Sequence, residues 1–545
     1  MEKKRAKKEQ RTFAWNSFYS LLSTYSRFIF SIVISFLIAR LISQREWGFL
    51  ILALSYITLI SLVKNYLPPS LADSYRFYIP KFRALGQNRK IKSFIKNSIY
   101  LRCLFIIPIY LIANILFLIL SDWFILLLGE YYNLLFILGS LILIEGIGKE
   151  LFGINAGFNL INVSFIIRLA ENIIKASILV YFLIFFNNVD IEMIAFVYVI
   201  SALFPFIINF SFILYYVIFK IEIEKDDVKK ISFRETFKLI IKYGSHLSLS
   251  SILVTFFDEL KIQSIGFLGY PEWVTGFNIS MNYRRFSSQT TGSFTGPLVM
   301  TLTSLNTKNQ WKQIKKMYRL LFLCYSLIFL FFTGLLYFLS DFFLFFVYGE
   351  EYLKFSLLIK LLLFQNIFGA QGILFYSILK SSKMVKYIIP ISTVILTIRI
   401  ILFVIFLFIF GIIGSAIALI LGMFVSFVVL ILLGIKLLNI KPNTKKTAEL
   451  FFCFFLAFFI TLFLDDILFQ NISILLLKQL NLFFFRYIPF LSILSFLCLF
   501  TFLVLFFGIF NKRDIEIIKE VFNKKKYFQG ILVRILDFIK KLLPS

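Results

Sequence analysis

The stretch Ile265–Met300, IGFLGYPEWVTGFNISMNYRRFSSQTTGSFTGPLVM, decides how the rest of the chain reads. Hydrophobic segments that can only be membrane spans surround it. A helix starting near Trp273 places Asn278, Asn282, Arg285, Gln289, Gly292 and Gly296 on one face, because those positions follow the i, i+4, i+7, i+11 rhythm. Arg284 stands beside Arg285. A charged side chain at bilayer depth costs from ~2.5 to more than 10 kcal/mol, so such residues face a bundle interior or a water-filled cavity. The stretch therefore predicts a polar, cationic chamber inside the membrane, with the remaining spans as its walls.

Composition agrees. Only 16% of the 545 residues are charged and mean hydropathy is +0.88. Apolar runs of the roughly 20 residues needed to cross a ~30 Å hydrocarbon core recur from end to end. The chain reads as an all-α polytopic membrane protein. Met1–Gln10 is highly charged and 18–42 is too long for a signal-peptide core, so a cleavable signal is not expected. The net charge of +28 does not indicate nucleic acid. Lys and Arg cluster in short loops between spans, where topology and anionic membrane lipids account for them. Cys103, Cys324, Cys453 and Cys498 lie far apart in apolar spans, and His246 is the single histidine, so no metal site and no cofactor is implied.

Apolar runs against loop signals give about fourteen spans. Six lie near 17–42, 47–68, 97–120, 134–157, 163–186 and 192–219. Six more lie near 238–268, 273–300, 317–340, 355–379, 387–410 and 412–436, and a last pair near 448–467 and 486–510. This divides the chain into a six-helix lobe (1–219), a linker (220–237), a second six-helix lobe (238–440), an extra helix pair (441–510) and a tail (511–545). The tail is amphipathic, with Ile531, Ile535, Phe538 and Leu542 opposite Arg534, Lys540 and Lys541, and is expected along the inner leaflet. Met1–Arg11, Lys81–Lys96, Lys220–Lys238, Lys308–Arg319, Lys380–Lys386 and Lys436–Lys446 are basic, whereas 121–133, 187–191, 269–272 and 341–353 hold no Lys or Arg. The alternation predicts both termini in the cytoplasm.

The halves echo each other. Ala39–Phe49, ARLISQREWGF, resembles Gly266–Phe277, GFLGYPEWVTGF, and Leu128-Gly-Glu-Tyr-Tyr-Asn matches Tyr348-Gly-Glu-Glu-Tyr-Leu. The offsets are 226 residues between Glu46 and Glu272 and 220 between Gly129 and Gly349. One duplication predicts two parallel lobes about a pseudo-two-fold axis along the membrane normal.

Span one repeats the polar stripe with Asn16, Ser20, Thr24, Arg27, Ser31 and Ser35. Arg27 either faces the cavity or snorkels to the interface, and Lys64 has the same two readings. Asp258, Glu259 and Lys261 cluster in span seven, where internal ion pairing and ion coupling both fit. Glu145, Lys149 and Glu150 of span four, with Arg168, Glu171 and Lys175 of span five, suit interhelical pairing first. An ion path through Glu145 and Glu171 is the other reading.

The string A-R-L-I-S-Q-R-E-W-G-F resembles a signature of the polysaccharide and O-antigen flippase family. Asp258…Ile265-Gly-Phe-Leu-Gly…Gly276-Phe277 resembles a second one, with Phe277 where tyrosine is usual. Tyr75-Arg-Phe-Tyr-Ile-Pro…Lys81 looks like the end of that family's second span. The similarity covers roughly residues 14–440. The family belongs to the multidrug/oligosaccharidyl-lipid/polysaccharide exporter superfamily. Resemblance implies a plasma-membrane flippase moving an undecaprenyl-diphosphate-linked oligosaccharide by alternating access, with other glycan assembly proteins as possible partners. Arginine suits a diphosphate because its planar fork donates bidentately and stays charged. Arg27, Arg284 and Arg285 are the candidates for it, with Asn278, Asn282 and Gln289 along the glycan path. The rival is an enzyme, a membrane glycosyltransferase or polysaccharide polymerase, which would need acidic residues on sizeable outward loops. Those loops are short here, and Asp465-Asp466 has no second acidic motif nearby. A drug exporter or a lipid II flippase of the same superfamily also stays open.

Overall fold

The computed structural model describes residues 2–186, 188–221, 230–292, 295, 298–299, 302, 305–306, 310–382, 384–469 and 489–509. It is all-helical, as expected. In chain order the helices are α1 (Glu2–Leu41), α2 (Gln44–Tyr66), α3 (Leu71–Ala84), α4 (Asn88–Ile119), α5 (Ser121–Leu128), α6 (Leu134–Gly139), α7 (Leu141–Gly157), α8 (Ile161–Phe185) and α9 (Ile191–Tyr215). Then come α10 (Phe233–Phe267), α11 (Pro271–Gly292), α12 (Trp311–Phe343), α13 (Ser356–Leu363), α14 (Gly369–Ser381), α15 (Ile388–Leu438), α16 (Thr444–Leu464) and α17 (Phe490–Phe506). Among the described residues nine stretches are long and apolar enough to cross a membrane, so length and apolarity do not return the expected fourteen. Helices α8, α10 and α11 match them in length but are outside the nine; polar residues dilute them. The protein is a multi-pass membrane protein.

Local chemistry sets the helix ends. Ser43 caps α2: Glu46 N–H donates to Ser43 Oγ at 3.3 Å, and Ser43 N–H donates to Glu46 Oε2 at 2.8 Å. Ser232 and Glu235 repeat that box on α10. Pro68 and Pro69 follow α2, and proline cannot supply the amide a continuing helix needs. Tyr75–Lys81 is consequently not the end of span two. It lies on α3, a separate amphipathic helix that buries Leu71, Tyr75, Tyr78, Ile79 and Phe82. The two G-E motifs take the same shape: Gly129 (φ 61°) and Gly349 (φ 107°) each lead into a 3-10 turn, Gly129–Asn133 and Glu350–Phe355. Gly411 (φ 63°, ψ −148°) interrupts α15 between expected spans eleven and twelve.

Packing divides the chain into two compact units, one formed by residues 1–279 with 386–408 and the other by 280–385 with 409–545. These boundaries differ from the lobes drawn from the apolar runs, because α10 and the start of α11 pack on α2. The repeated turns meet there: a Cβ on Gly48 would lie 2.0 Å from the Pro271 carbonyl oxygen, and Thr275 Oγ1 donates to the Gln44 carbonyl at 2.8 Å. Helix α3 is held on α7 in the same way. A Cβ on Gly153 would come 2.7 Å from Ala72 Cα, and one on Gly157 would come 2.8 Å from the Tyr75 carbonyl oxygen. Small residues four apart allow such close approach between membrane helices. In the second unit α16 and α17 pack on α12 through Leu330, Phe338, Phe454, Phe458, Phe496 and Phe500. The linker residues 222–229 and the tail 511–545, with its amphipathic face, lie outside the described residues.

Gly48→Ala is expected to lower the thermal midpoint of the detergent-solubilised protein, because backbone rather than a flexible side chain must give way. Overpacking of this kind costs about 1–3 kcal/mol. An unchanged midpoint would contradict the close contact.

Candidate functional site

In the first unit α1 runs along α8, with the Tyr19 and Phe165 rings 6.0 Å apart. Arg168, Glu171 and Lys175 of α8 follow a spacing of three and four residues and therefore share one face. Arg27 of α1 and Arg76 of α3 lie close enough to Arg168 to act on it electrostatically, as does Glu171. Glu171 in turn feels Lys175, Glu145 of α7, Arg168 and Arg27. Four helices thus contribute to one cluster. Arg27 is exposed, and its Nε donates to the Ser23 carbonyl at 3.5 Å. Arg76 pairs with Asp73 at 3.0 Å. The Arg168 guanidinium stands 4.5 Å from the Phe152 ring, and the Lys175 ammonium 4.0 Å from that of Tyr198. Four cations (Arg27, Arg76, Arg168, Lys175) face three carboxylates (Asp73, Glu145, Glu171), an excess of one positive charge. Like charges gathered in a helix bundle repel, and an arriving anion relieves that repulsion.

On α11 the expected stripe is the less buried side: Asn278, Asn282 and Gln289 are half-buried and Arg285 is exposed, while Val274, Phe277, Ile279 and Tyr283 are buried. Arg285 Nη1 donates to Asn282 Oδ1 at 3.2 Å. Arg284 is engaged differently. Its Nη1 donates to Asn366 Oδ1 at 3.2 Å, and Asn366 Nδ2 donates back to the Arg284 carbonyl at 3.4 Å. Asn366 belongs to the 3-10 turn Phe364–Phe368, which interrupts the tenth expected span. Arg27 and Asn278 are part of the first unit; Asn282, Arg284, Arg285 and Gln289 are part of the second. Gly296 and the side chains of Asn16, Ser20 and Lys64 lie outside the described residues.

Asp258 is paired with Lys261 at 2.6 Å, and the buried Lys261 ammonium also lies 4.5 Å from the Phe257 ring. Of the span-four residues expected to pair between helices, Glu150 does so, with a partner on α4 that the sequence did not point to. Arg102 of α4 meets Glu150 of α7 at 2.9 Å, with both side chains buried. Its Nε donates to the Gly146 carbonyl at 3.2 Å and its Nη1 to the Leu67 carbonyl at 3.3 Å. One guanidinium thereby joins α4, α7 and the turn before α3. Sequence reasoning passed over Arg102 and Arg76. A lone arginine inside an apolar run was the available signal for Arg102. Arg76 lies on α3, which falls between the apolar runs at 47–68 and 97–120 and was not read as a helix.

No family model and no curated protein matches this chain. Among solved structures it is similar to an inward-facing multidrug resistance MATE family transporter of the MOP superfamily, with a TM-score of 0.60, 12% identity and coverage of 74% of this chain and 93% of that one. The lipid II flippase MurJ in an inward closed conformation gives 0.56, 15% identity and coverage of 90% and 98%. A mutant of the Vibrio cholerae MATE transporter VcmN gives 0.56, 12% identity and coverage of 79% and 97%. The chain therefore has the fold of MATE transporters and MurJ.

Arg102→Leu should destabilise the protein by about 3–5 kcal/mol, since it strands a buried carboxylate. The double substitution Arg102→Leu with Glu150→Leu should recover much of that loss. Chemical denaturation of the four proteins of this cycle measures the coupling, and additive effects would refute it.

Proposed function

We propose that the protein is a flippase that carries an undecaprenyl-diphosphate-linked oligosaccharide or polysaccharide repeat unit across the cytoplasmic membrane by alternating access, with both termini in the cytoplasm. The observation that supports this reading is that Arg27 of α1 and Arg76 of α3 both lie close enough to Arg168 of α8 to act on its charge, in a cluster whose named cations outnumber its carboxylates. Three guanidinium groups supply the planar, permanently charged donors that a diphosphate accepts bidentately. Arg285 offers a further exposed cation on α11, and Asn278, Asn282 and Gln289 provide amides for sugar hydroxyls. Arg284, held by Asn366, acts by fixing α11 to the interrupted span. Coupling to a proton or sodium ion is assigned to Glu145 and Glu171, the carboxylates of the cluster. Asp258 has Lys261 as its resident partner, which suits a structural role better than a coupling one.

The fold is shared with the lipid II flippase MurJ and with multidrug transporters, and the charge of the cluster favours an anionic cargo. A hydrophobic cation would be repelled by the excess of arginine, whereas a lipid diphosphate is attracted.

Arg27→Glu should reduce glycan export about tenfold to a hundredfold while the protein remains in the membrane, the loss expected for one or more charge-assisted hydrogen bonds of about 1.5–3 kcal/mol. Arg285→Glu should act in the same direction. The decisive measurement is leaflet exchange of a labelled lipid-linked oligosaccharide in reconstituted vesicles, run beside a cationic dye. Full exchange by Arg27→Glu at normal protein level, or transport of the dye alone, would overturn the assignment.

A further inference from the structure

Apart from Arg76, the basic residues of the α3–α4 hairpin take no part in the cargo site. Between Asp73 and Asp122 the sequence contains eight Lys and Arg residues and no carboxylate. Arg76 pairs with Asp73, Arg102 with Glu150, and Lys92 Nζ donates to the Ile218 carbonyl at 3.2 Å. Lys81, Arg83 and Lys96 are exposed.

Their setting identifies what they meet. On α4 the exposed side chains Tyr100, Leu104, Ile107, Leu111 and Ile115 repeat every three or four residues, forming one apolar stripe along the helix. A stripe of that length on a membrane helix faces hydrocarbon. The same stripe continues past Tyr100 into Lys96 and Arg89, so apolar surface gives way to cations within one or two turns. The Lys96 ammonium lies 5.7 Å from the Tyr100 ring, and the Lys81 ammonium 6.0 Å from the exposed Phe77 ring. In both, an aromatic ring sits with a cationic tip reaching over it, the arrangement favoured where hydrocarbon meets headgroups. The hairpin is rigid enough to hold this surface, because Tyr75, Tyr78 and Phe82 of α3 all contact the Phe94 ring of α4 at 5.5–6.0 Å.

We infer that the Lys96 end of the α4 stripe, together with Lys81 and Arg83 of α3, is a docking surface for the headgroup of an anionic phospholipid in the adjoining leaflet. Hydrocarbon tails lie along Leu104 and Ile107, Tyr100 and Phe77 occupy the interface, and the ammonium and guanidinium groups take the phosphate and its negative neighbours. The surface needs only a membrane helix and a bilayer, so it stands apart from the cargo proposed above.

The full-length protein, purified in detergent and exchanged with phosphatidylglycerol or phosphatidylcholine, tests this by the number of lipids retained in native mass spectra. Phosphatidylglycerol should be retained preferentially. Substituting Lys81, Arg83 and Lys96 by Gln should weaken that retention about fivefold per cation, from the ~1 kcal/mol each contributes near an anionic surface. Phosphatidylcholine retention should not change. Lys96→Arg should keep the preference. The same number of neutral substitutions at Lys312, Lys315 and Lys316, which lie at the start of α12, serves as the comparison. Unaltered phosphatidylglycerol retention in the hairpin variant, or an equal loss in the α12 variant, would overturn the inference.

Discussion

The close approach of two backbones at Gly48 and Pro271 is the constraint on which the first unit depends. An α-carbon without a side chain lets the start of α2 reach the carbonyl of the matching turn, and the Thr275 hydroxyl closes the contact on Gln44. Van der Waals packing holds membrane helices together, since lipid is as apolar as the side chains. A missing Cβ at a crossing therefore gains more there than an extra methyl group would. Gly266 against Leu52 extends the same seam, where a Cβ would lie 2.3 Å from Leu52 Cδ2. Gly153 and Gly157 repeat the device at α3. Arg76 of α3 is thereby held on α7, the helix that carries Glu145.

Much of the scaffold was legible in the amino-acid order. Runs of apolar residues located α1, α2, α4 and α9 because a membrane helix declares its length through hydrophobicity. The paired G-E motifs were legible as a repeat, and the structure gives both the same positive-φ glycine leading into a 3-10 turn. Less visible was anything decided by a partner distant in sequence. Arg102 and Glu150 are separated by most of α4, α5 and α6, and nothing in either neighbourhood names the other. Helix α3 escaped notice because its fourteen residues are too short and too mixed for a span, yet one face buries Leu71, Tyr75, Tyr78, Ile79 and Phe82. The grouping of α10 with the first unit follows from glycine contacts that no hydropathy pattern encodes.

The candidate site was legible in kind more than in membership. Arg27 and the α11 stripe are visible as polar interruptions at helical spacing. Arg76 and Arg168 join the picture only once α3 folds beside α7 and α8 beside α1. Adjacent residues also part ways. Arg284 turns to Asn366 and Arg285 to Asn282, because neighbours on a helix are about 100° apart and meet different surroundings.

The joined turns have one more consequence. Each copy of the repeated motif contains Glu-Trp, so Trp47 and Trp273 both stand at the seam, and they are two of only five tryptophans in 545 residues. Trp47 is buried there. Indole emission changes colour with the polarity around the ring. The protein thus has a native optical gauge at its tightest helix junction, readable without any attached dye.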